Sequence, residues 1–87
     1  MYDYELRKSV EKSLFKLAKR NPKQMGIIES KINEIVVEPH HYKSLHSPMQ
    51  HLYRVHIDKS FVIVFSIDEA KKIVIIEKYG HHDNIYE

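Results

Sequence analysis

The sequence predicts an α+β fold in the order β-α-α-β-β-β, with an antiparallel sheet and an antiparallel helical hairpin packed on one face. Three observations carry this expectation. Between residues 9 and 36 apolar residues recur at helical spacing, interrupted once by "RNP" at 20–22. After Pro39 the helical period disappears. Three short β-branched runs then follow, "LYRVHI", "FVIVFSI" and "IVIIEKY", separated by "DKS" and "DEAKK".

Each element has its own reason. "YDYEL" alternates aromatic and acidic residues and reads as a first strand, Tyr2 to Leu6. Ser9 is the expected N-cap of the first helix, with Lys12 where a capping box would place Glu. From Ser9 to Lys19, Val10, Leu14, Leu17 and Ala18 form one helical stripe. Pro22 suits the first turn of a second helix, whose stripe is Met25, Ile28, Ile32, Ile35 and Val36 and which ends near Glu38 and Pro39. The tight break makes the two helices antiparallel. "HHYKSLHSPMQH" reads as a long loop. In "LYRVHI", Tyr53, Val55 and Ile57 take one face, and Leu52, Arg54 and His56 take the other. "FVIVFSI" is nearly all apolar, as suits a central strand covered on one side and partly shielded on the other. Short connections make Leu52 to Tyr79 an antiparallel meander. Two helices would bury one face of the sheet and leave the other open to a ligand.

Eighty-seven residues suit one domain with a single core. The absence of cysteine excludes a disulfide framework, a thiolate metal site and a cysteine nucleophile. The longest apolar run, "FVIVF", is too short to span a bilayer, and the first residues lack a signal-peptide core, so a cytoplasmic protein with no membrane partner is expected. Net charge is only +2, yet seven basic residues lie between Arg7 and Lys23 against one acid, Glu11. Such a helix follows a phosphate backbone, meets an acidic partner, or is simply a solvated face. Lys12 and Lys16 are its candidate RNA contacts.

The polar residues of the predicted open face suggest a site. Arg54 and His56 project from the first strand of the meander. The last strand is expected to end at Tyr79–Gly80, where glycine allows a sharp change of direction that carries His82 back over the sheet. Arg54, His56, His82 and Tyr86 would then share a shallow cleft, with Lys43 and His46 on the loop beside it. An imidazole titrates near ~6.5 and can give or take a proton at neutral pH. Arginine offers a planar fork of donors to phosphate, and an aromatic ring stacks on a splayed base. Plainer roles stay open: Arg54 paired with Glu77, His56 as an exposed polar residue, Tyr86 docked with Ile85. Seven histidines invite a metal reading, and five of them fall between His40 and His56. Their spacing matches no zinc motif, no H-E-x-x-H is present, and neither metal nor cofactor is expected.

The segments "YELRKSVEKSLFKLAKRNP", "YKSLHSPMQHLYRVHIDKSFVIVFSID" and "IVIIEKYGHHDNIYE" together cover nearly the whole chain. In this order they resemble the RelE/ParE superfamily of toxins from type II toxin–antitoxin modules, and the resemblance implies the RelE-like microbial RNase fold. "LYRVHI" and "GHHDNIY" are its most specific parts. The RelE branch cleaves messenger RNA in the ribosomal A site. By that resemblance Arg54 and His56 occupy two basic strand positions, His82 a terminal arginine position and Tyr86 the closing tyrosine. The implied chemistry is metal-independent transesterification by the ribose 2′-hydroxyl. His56 would be the base, His82 the acid, Arg54 the electrostatic clamp and Tyr86 the base-stacking group, with base and acid exchangeable. One position departs from the pattern: Val62 stands where most relatives carry an arginine, so Lys43, Lys59 or Arg54 would have to supply that charge. The implied partners are the ribosome, messenger RNA and a RelB-like antitoxin, in a heterodimer or heterotetramer. A ParE-like inhibitor of DNA gyrase on the same fold, and a non-catalytic binding module, are the alternatives.

Overall fold

The computed structural model describes residues 1–85. Its elements are β1 (Asp3–Leu6), α1 (Lys8–Arg20), α2 (Pro22–Val37), a 3-10 turn (Pro39–His41), β2 (Tyr53–His56), β3 (Phe61–Asp68) and β4 (Ile73–His81). The four strands form one sheet in the order β1-β4-β3-β2. The expected meander is present, with β2 antiparallel to β3 and β3 antiparallel to β4. The first strand corrects the expectation of a wholly antiparallel sheet. It lies parallel to β4, from Asp3 opposite Ile73 to Leu6 opposite Ile76. No tight turn links β1 to β4, and the long intervening chain permits parallel pairing.

The helix boundaries follow from backbone hydrogen bonds. Arg7, not Ser9, precedes the first helical residue. Its N–H donates to the Ile76 carbonyl at 3.1 Å, so the chain passes from the sheet edge straight into α1. Asn21 serves both helices. Its N–H donates to Leu17 O at 2.7 Å and ends α1, while its Oδ1 accepts from Gln24 N at 3.1 Å and caps α2. Val10 and Leu14 are buried, whereas Ala18, expected in the same stripe, is exposed. All four predicted isoleucine and valine positions of α2 (Ile28, Ile32, Ile35, Val36) are buried.

The core lies between the hairpin and one face of the sheet. Ile28, Ile35, Ile63, Phe65, Val74 and Ile76 form its centre. Tyr53 stacks on Phe65 with ring centroids 5.3 Å apart. The other face of β3 carries a second apolar group, in which Val62 and Val64 are covered by Ile85 and flanked by Leu45 and Leu52.

The β3–β4 register shifts between Val64 and Phe65, whose partners are Lys78 and Ile76, leaving Glu77 as the extra residue of a bulge. Glu77 accepts from Ser66 Oγ at 2.6 Å and from Arg7 Nε at 2.8 Å. Burial would raise its carboxyl, but the Arg7 guanidinium and the Ser66 hydroxyl outweigh that and hold it below the usual carboxylate range. A depressed folded-state value stabilises the fold above the unfolded carboxyl's titration and loses that contribution as pH falls through the folded value. Wild-type stability should therefore fall between about pH 5 and pH 3 more steeply than that of Glu77→Gln. Melting temperatures of the two proteins across this range check it, and parallel curves would contradict it.

Candidate functional site

Register places the expected residues on the sheet face opposite the helices. His56 pairs with Val62, which pairs with Gly80, and Arg54 pairs with Val64, which pairs with Lys78. Paired residues share a face, so Arg54, His56 and Lys78 flank the apolar group of Val62 and Val64. Arg54 and His56 are both exposed. They line, with His41, Tyr42, Lys43 and Val55, a depression of about 370 Å³. The long loop is fastened beside them. Arg54 N donates to Lys43 O at 3.2 Å, Leu45 N to Leu52 O at 2.8 Å, and Ser44 bridges Tyr53. Residues 43–45 thus run along the outer edge of β2 and bring Lys43 to the site. Arg54 is not the partner of Glu77, which is taken by Arg7 and Ser66.

The return of the tail is real, but its cause differs from the expectation. Gly80 lies within β4 and has no positive φ. The turn comes after His81, where His82 N donates to Ser60 O at 2.8 Å and Asn84 N to His81 O at 2.9 Å. Gly80 instead lies below the docked tail: a Cβ there would meet Ile85 Cδ1 at 3.5 Å, an ordinary contact. Ile85 is 6% exposed and lies on Val62 and Val64. Lys78 Nζ donates to the Ile85 carbonyl at 3.3 Å. An arginine at position 62 would project where Ile85 packs, and the buried Val62 is the residue that fits under the tail.

His82 is exposed, and its Nδ1 lies 2.9 Å from Asp83 Oδ1. That contact fixes the ring and leaves Nε2 as the outward nitrogen. His81 Nδ1 lies 3.5 Å from the other Asp83 oxygen, and its ring meets Phe61 edge-on. One ligand atom from each of His81, His82 and Asp83 falls within 4.8 Å of the others. The tail itself gathers these three atoms, because the turn brings Asp83 back to both rings.

The remaining expected residues are dispersed. Lys12 and Lys16 are exposed on α1, in the layer on the far side of the sheet from Arg54 and His56. His46 lies in the turn closed by Met49 N donating to His46 O, and Lys59 is exposed in the β2–β3 turn. Asp58 Oδ1 closes that turn by accepting from Ser60 N and Phe61 N, and these bonds hold its carboxyl below the usual range. Tyr86 lies outside the described residues. The sequence reading missed Lys78. The signal was available, since Lys78 is two residues from Gly80 and two-residue periodicity puts both on the ligand face.

A family model described as "ParE toxin of type II toxin-antitoxin system, parDE" matches residues 4–86. The chain is 54% identical over 86 residues to an uncharacterized protein of Methanosarcina mazei, covering 99% of this chain and 100% of that one. It is 51% identical over 87 residues to a Methanocaldococcus jannaschii protein that bears the name RelE4, covering 100% of this chain and 93% of the relative. Among solved structures it is similar to the YoeB/ParE toxin from Agrobacterium tumefaciens (TM-score 0.82, 11% identity, 92% and 98% of the two chains). It is also similar to a chain of the intact E. coli RelBE toxin–antitoxin complex (TM-score 0.74, 18% identity, 93% and 96% of the two chains). At these identities the structural likeness is one of fold.

Docking of the tail is open to a direct check. Ile85→Ala should lower the free energy of unfolding by about 2 kcal/mol, at the low end for a buried isoleucine because its neighbours can settle. Urea unfolding followed by circular dichroism measures this, and a change within error would mean that Ile85 does not anchor the tail.

Proposed function

The chain belongs to the ParE toxin family of type II toxin–antitoxin systems, in the RelE/ParE superfamily, and we propose that it acts as a ribosome-dependent messenger-RNA endonuclease restrained by a RelB-like antitoxin. One observation carries the reading. Arg54, His56 and Lys78 share the sheet face on which the tail docks through Ile85, and His82, with Asp83 on its Nδ1, stands in the turn that leads into that tail. Imidazoles can make the two proton transfers of RNA transesterification, and cations can offset the charge on phosphorus.

The reaction runs through the ribose 2′-hydroxyl. His56 removes its proton as the 2′-oxygen attacks phosphorus. The P–O5′ bond breaks, and His82 protonates the departing 5′-oxygen. The products are a 2′,3′-cyclic phosphate and a 5′-hydroxyl. Asp83 orients His82 through the contact with its Nδ1, as a carboxylate orients a catalytic imidazole. Arg54 and Lys78 offset the charge that grows on the equatorial oxygens. Lys78 thereby takes over what the family arginine would do at position 62. Tyr86 is assigned to stack on a base, and Lys43 to a neighbouring phosphate. The ribosome presents the message as an extended single strand, which an open, shallow face can reach.

A second reading is favoured by two observations: the match to the ParE family model and the buried valine at position 62. In it the same fold inhibits DNA gyrase without cleaving RNA. Induction of the chain without an antitoxin separates the two. Message ends mapped during translation should fall inside codons, and supercoiled plasmid should be unchanged. His56→Ala and His82→Ala should each reduce cleavage by about 100-fold or more, the usual scale of a general acid or base. Lys78→Ala should also reduce it, while Lys12→Ala should leave the chemical step intact. Both histidine variants cleaving within a few-fold of wild type would refute the assignment, and trapped DNA breaks would favour the gyrase reading.

A further inference from the structure

The tail holds two imidazoles and a carboxylate in consecutive residues, and the chain itself brings them together. Asp83 touches both rings: Oδ1 lies 2.9 Å from His82 Nδ1, its backbone N–H donates to His81 Nδ1 at 3.2 Å, and Oδ2 lies 3.5 Å from that same His81 nitrogen. The ring centroids are 4.6 Å apart, and one ligand atom from each residue lies within 4.8 Å of the others. A tetrahedral zinc ion with bonds of about 2.0–2.1 Å sets its ligand atoms about 3.3–3.4 Å apart. The three ligand atoms stand within 4.8 Å of one another, so closing to that edge length takes rotations of side chains that are already neighbours.

The donors stand on an anchored turn. His82 N is tied to Ser60 O, Asn84 N and Ile85 N both donate to His81 O, and Ile85 is packed on Val62 and Val64. Phe61 meets the His81 ring edge-on at 5.7 Å. An ion therefore has little chain to order, which lowers the cost of binding. The donor set also restricts the ion. Two imidazole nitrogens and one carboxylate oxygen suit zinc, nickel or cobalt, whereas magnesium and calcium prefer oxygen alone. Three protein ligands leave a fourth position for water, and the exposure of His82 and Asp83 provides an entry path.

We propose that His81, His82 and Asp83 form a binding site for one divalent transition-metal ion, represented by zinc, and that filling it silences the toxin. The silencing half rests on the ribonuclease reading above, and the binding half does not. A metal ion takes the Nδ1 lone pair of His82 and draws Asp83 into its own coordination. The ring then loses the carboxylate contact that orients it and is held by the ion instead of by Asp83. The same two residues thus serve the reaction when the site is empty and the ion when it is full.

The test begins with binding, without reference to activity. The full chain in metal-free buffer is titrated with zinc chloride by calorimetry, and with cobalt(II) while visible absorption is recorded. The expected result is one ion per chain and cobalt bands of four-coordinate intensity. His81→Gln and, as a second variant, Asp83→Asn should each weaken zinc binding at least tenfold, and His46→Gln should not. Circular dichroism establishes that each variant is folded. No saturable binding, or binding unchanged in both His81→Gln and Asp83→Asn, overturns the site. Translation-dependent cleavage is then measured with and without zinc. Zinc should arrest the wild type, and His81→Gln should cleave normally and resist it. Stoichiometric binding at this site with undiminished cleavage overturns the switch. A wild type that cleaves nothing in metal-free buffer counts against the ribonuclease reading, and the calorimetry still decides the site.

Discussion

The burial of β3 on both faces is the constraint on which the rest of the structure depends. Val62, Ile63, Val64 and Phe65 are all at or below 1% exposure. Ile63 and Phe65 meet the helical hairpin, and this half of the problem is solved by ordinary packing of amphipathic helices. Val62 and Val64 face away from it, and water against them would cost about 25 cal/mol for each Å² left bare. The cover comes from Ile85 of the tail, with Leu45 and Leu52 of the long loop beside it. Both segments are thereby held against the sheet. Lys43 arrives with the loop, His82 and Asp83 arrive with the tail, and Arg54, His56 and Lys78 already flank the covered patch. The candidate site is thus assembled around a small apolar core.

The same constraint explains why position 62 is apolar. Charge at position 62 and a tail docked through Ile85 compete for the same space. In this chain the apolar solution is realised, and a cation appears one strand away at Lys78, itself tied to the tail by its bond to the Ile85 carbonyl. Positive charge on the ligand face is kept while its attachment point moves. The basic face of α1 lies on the other side of the sheet, away from Arg54 and His56.

Much of this was legible in the sequence, and the misses share a physical cause. The helical stripes, the break at "RNP", the alternation of "LYRVHI" and the nearly unbroken apolar run of β3 each report on local periodicity, which a single sequence displays. Placing Arg54 and His56 together on the face away from the helices needed only that alternation. The parallel pairing of β1, the bulge at Glu77 and its capture by Arg7 depend on contacts between residues about 70 positions apart, and no local pattern encodes them. Gly80 was read as a turn because glycine often marks one. Here the strand continues to His81, and the turn is made by hydrogen bonds to Ser60 and His81. Lys78 is legible from the strand's own parity, two residues before Gly80. The convergence of His81, His82 and Asp83 could not be read from spacing, since adjacent residues normally point apart and only the turn brings them round.

The most direct measurement replaces the ribose at the scissile position of a message by 2′-deoxyribose and follows cleavage on the translating ribosome. An attack by the 2′-oxygen predicts that this single substitution abolishes cleavage there, while the unmodified message yields a 2′,3′-cyclic phosphate and a 5′-hydroxyl. Cleavage of the deoxy-substituted message at the same position would contradict the account, because the 2′-oxygen, the proposed nucleophile that His56 would activate, is missing from that message.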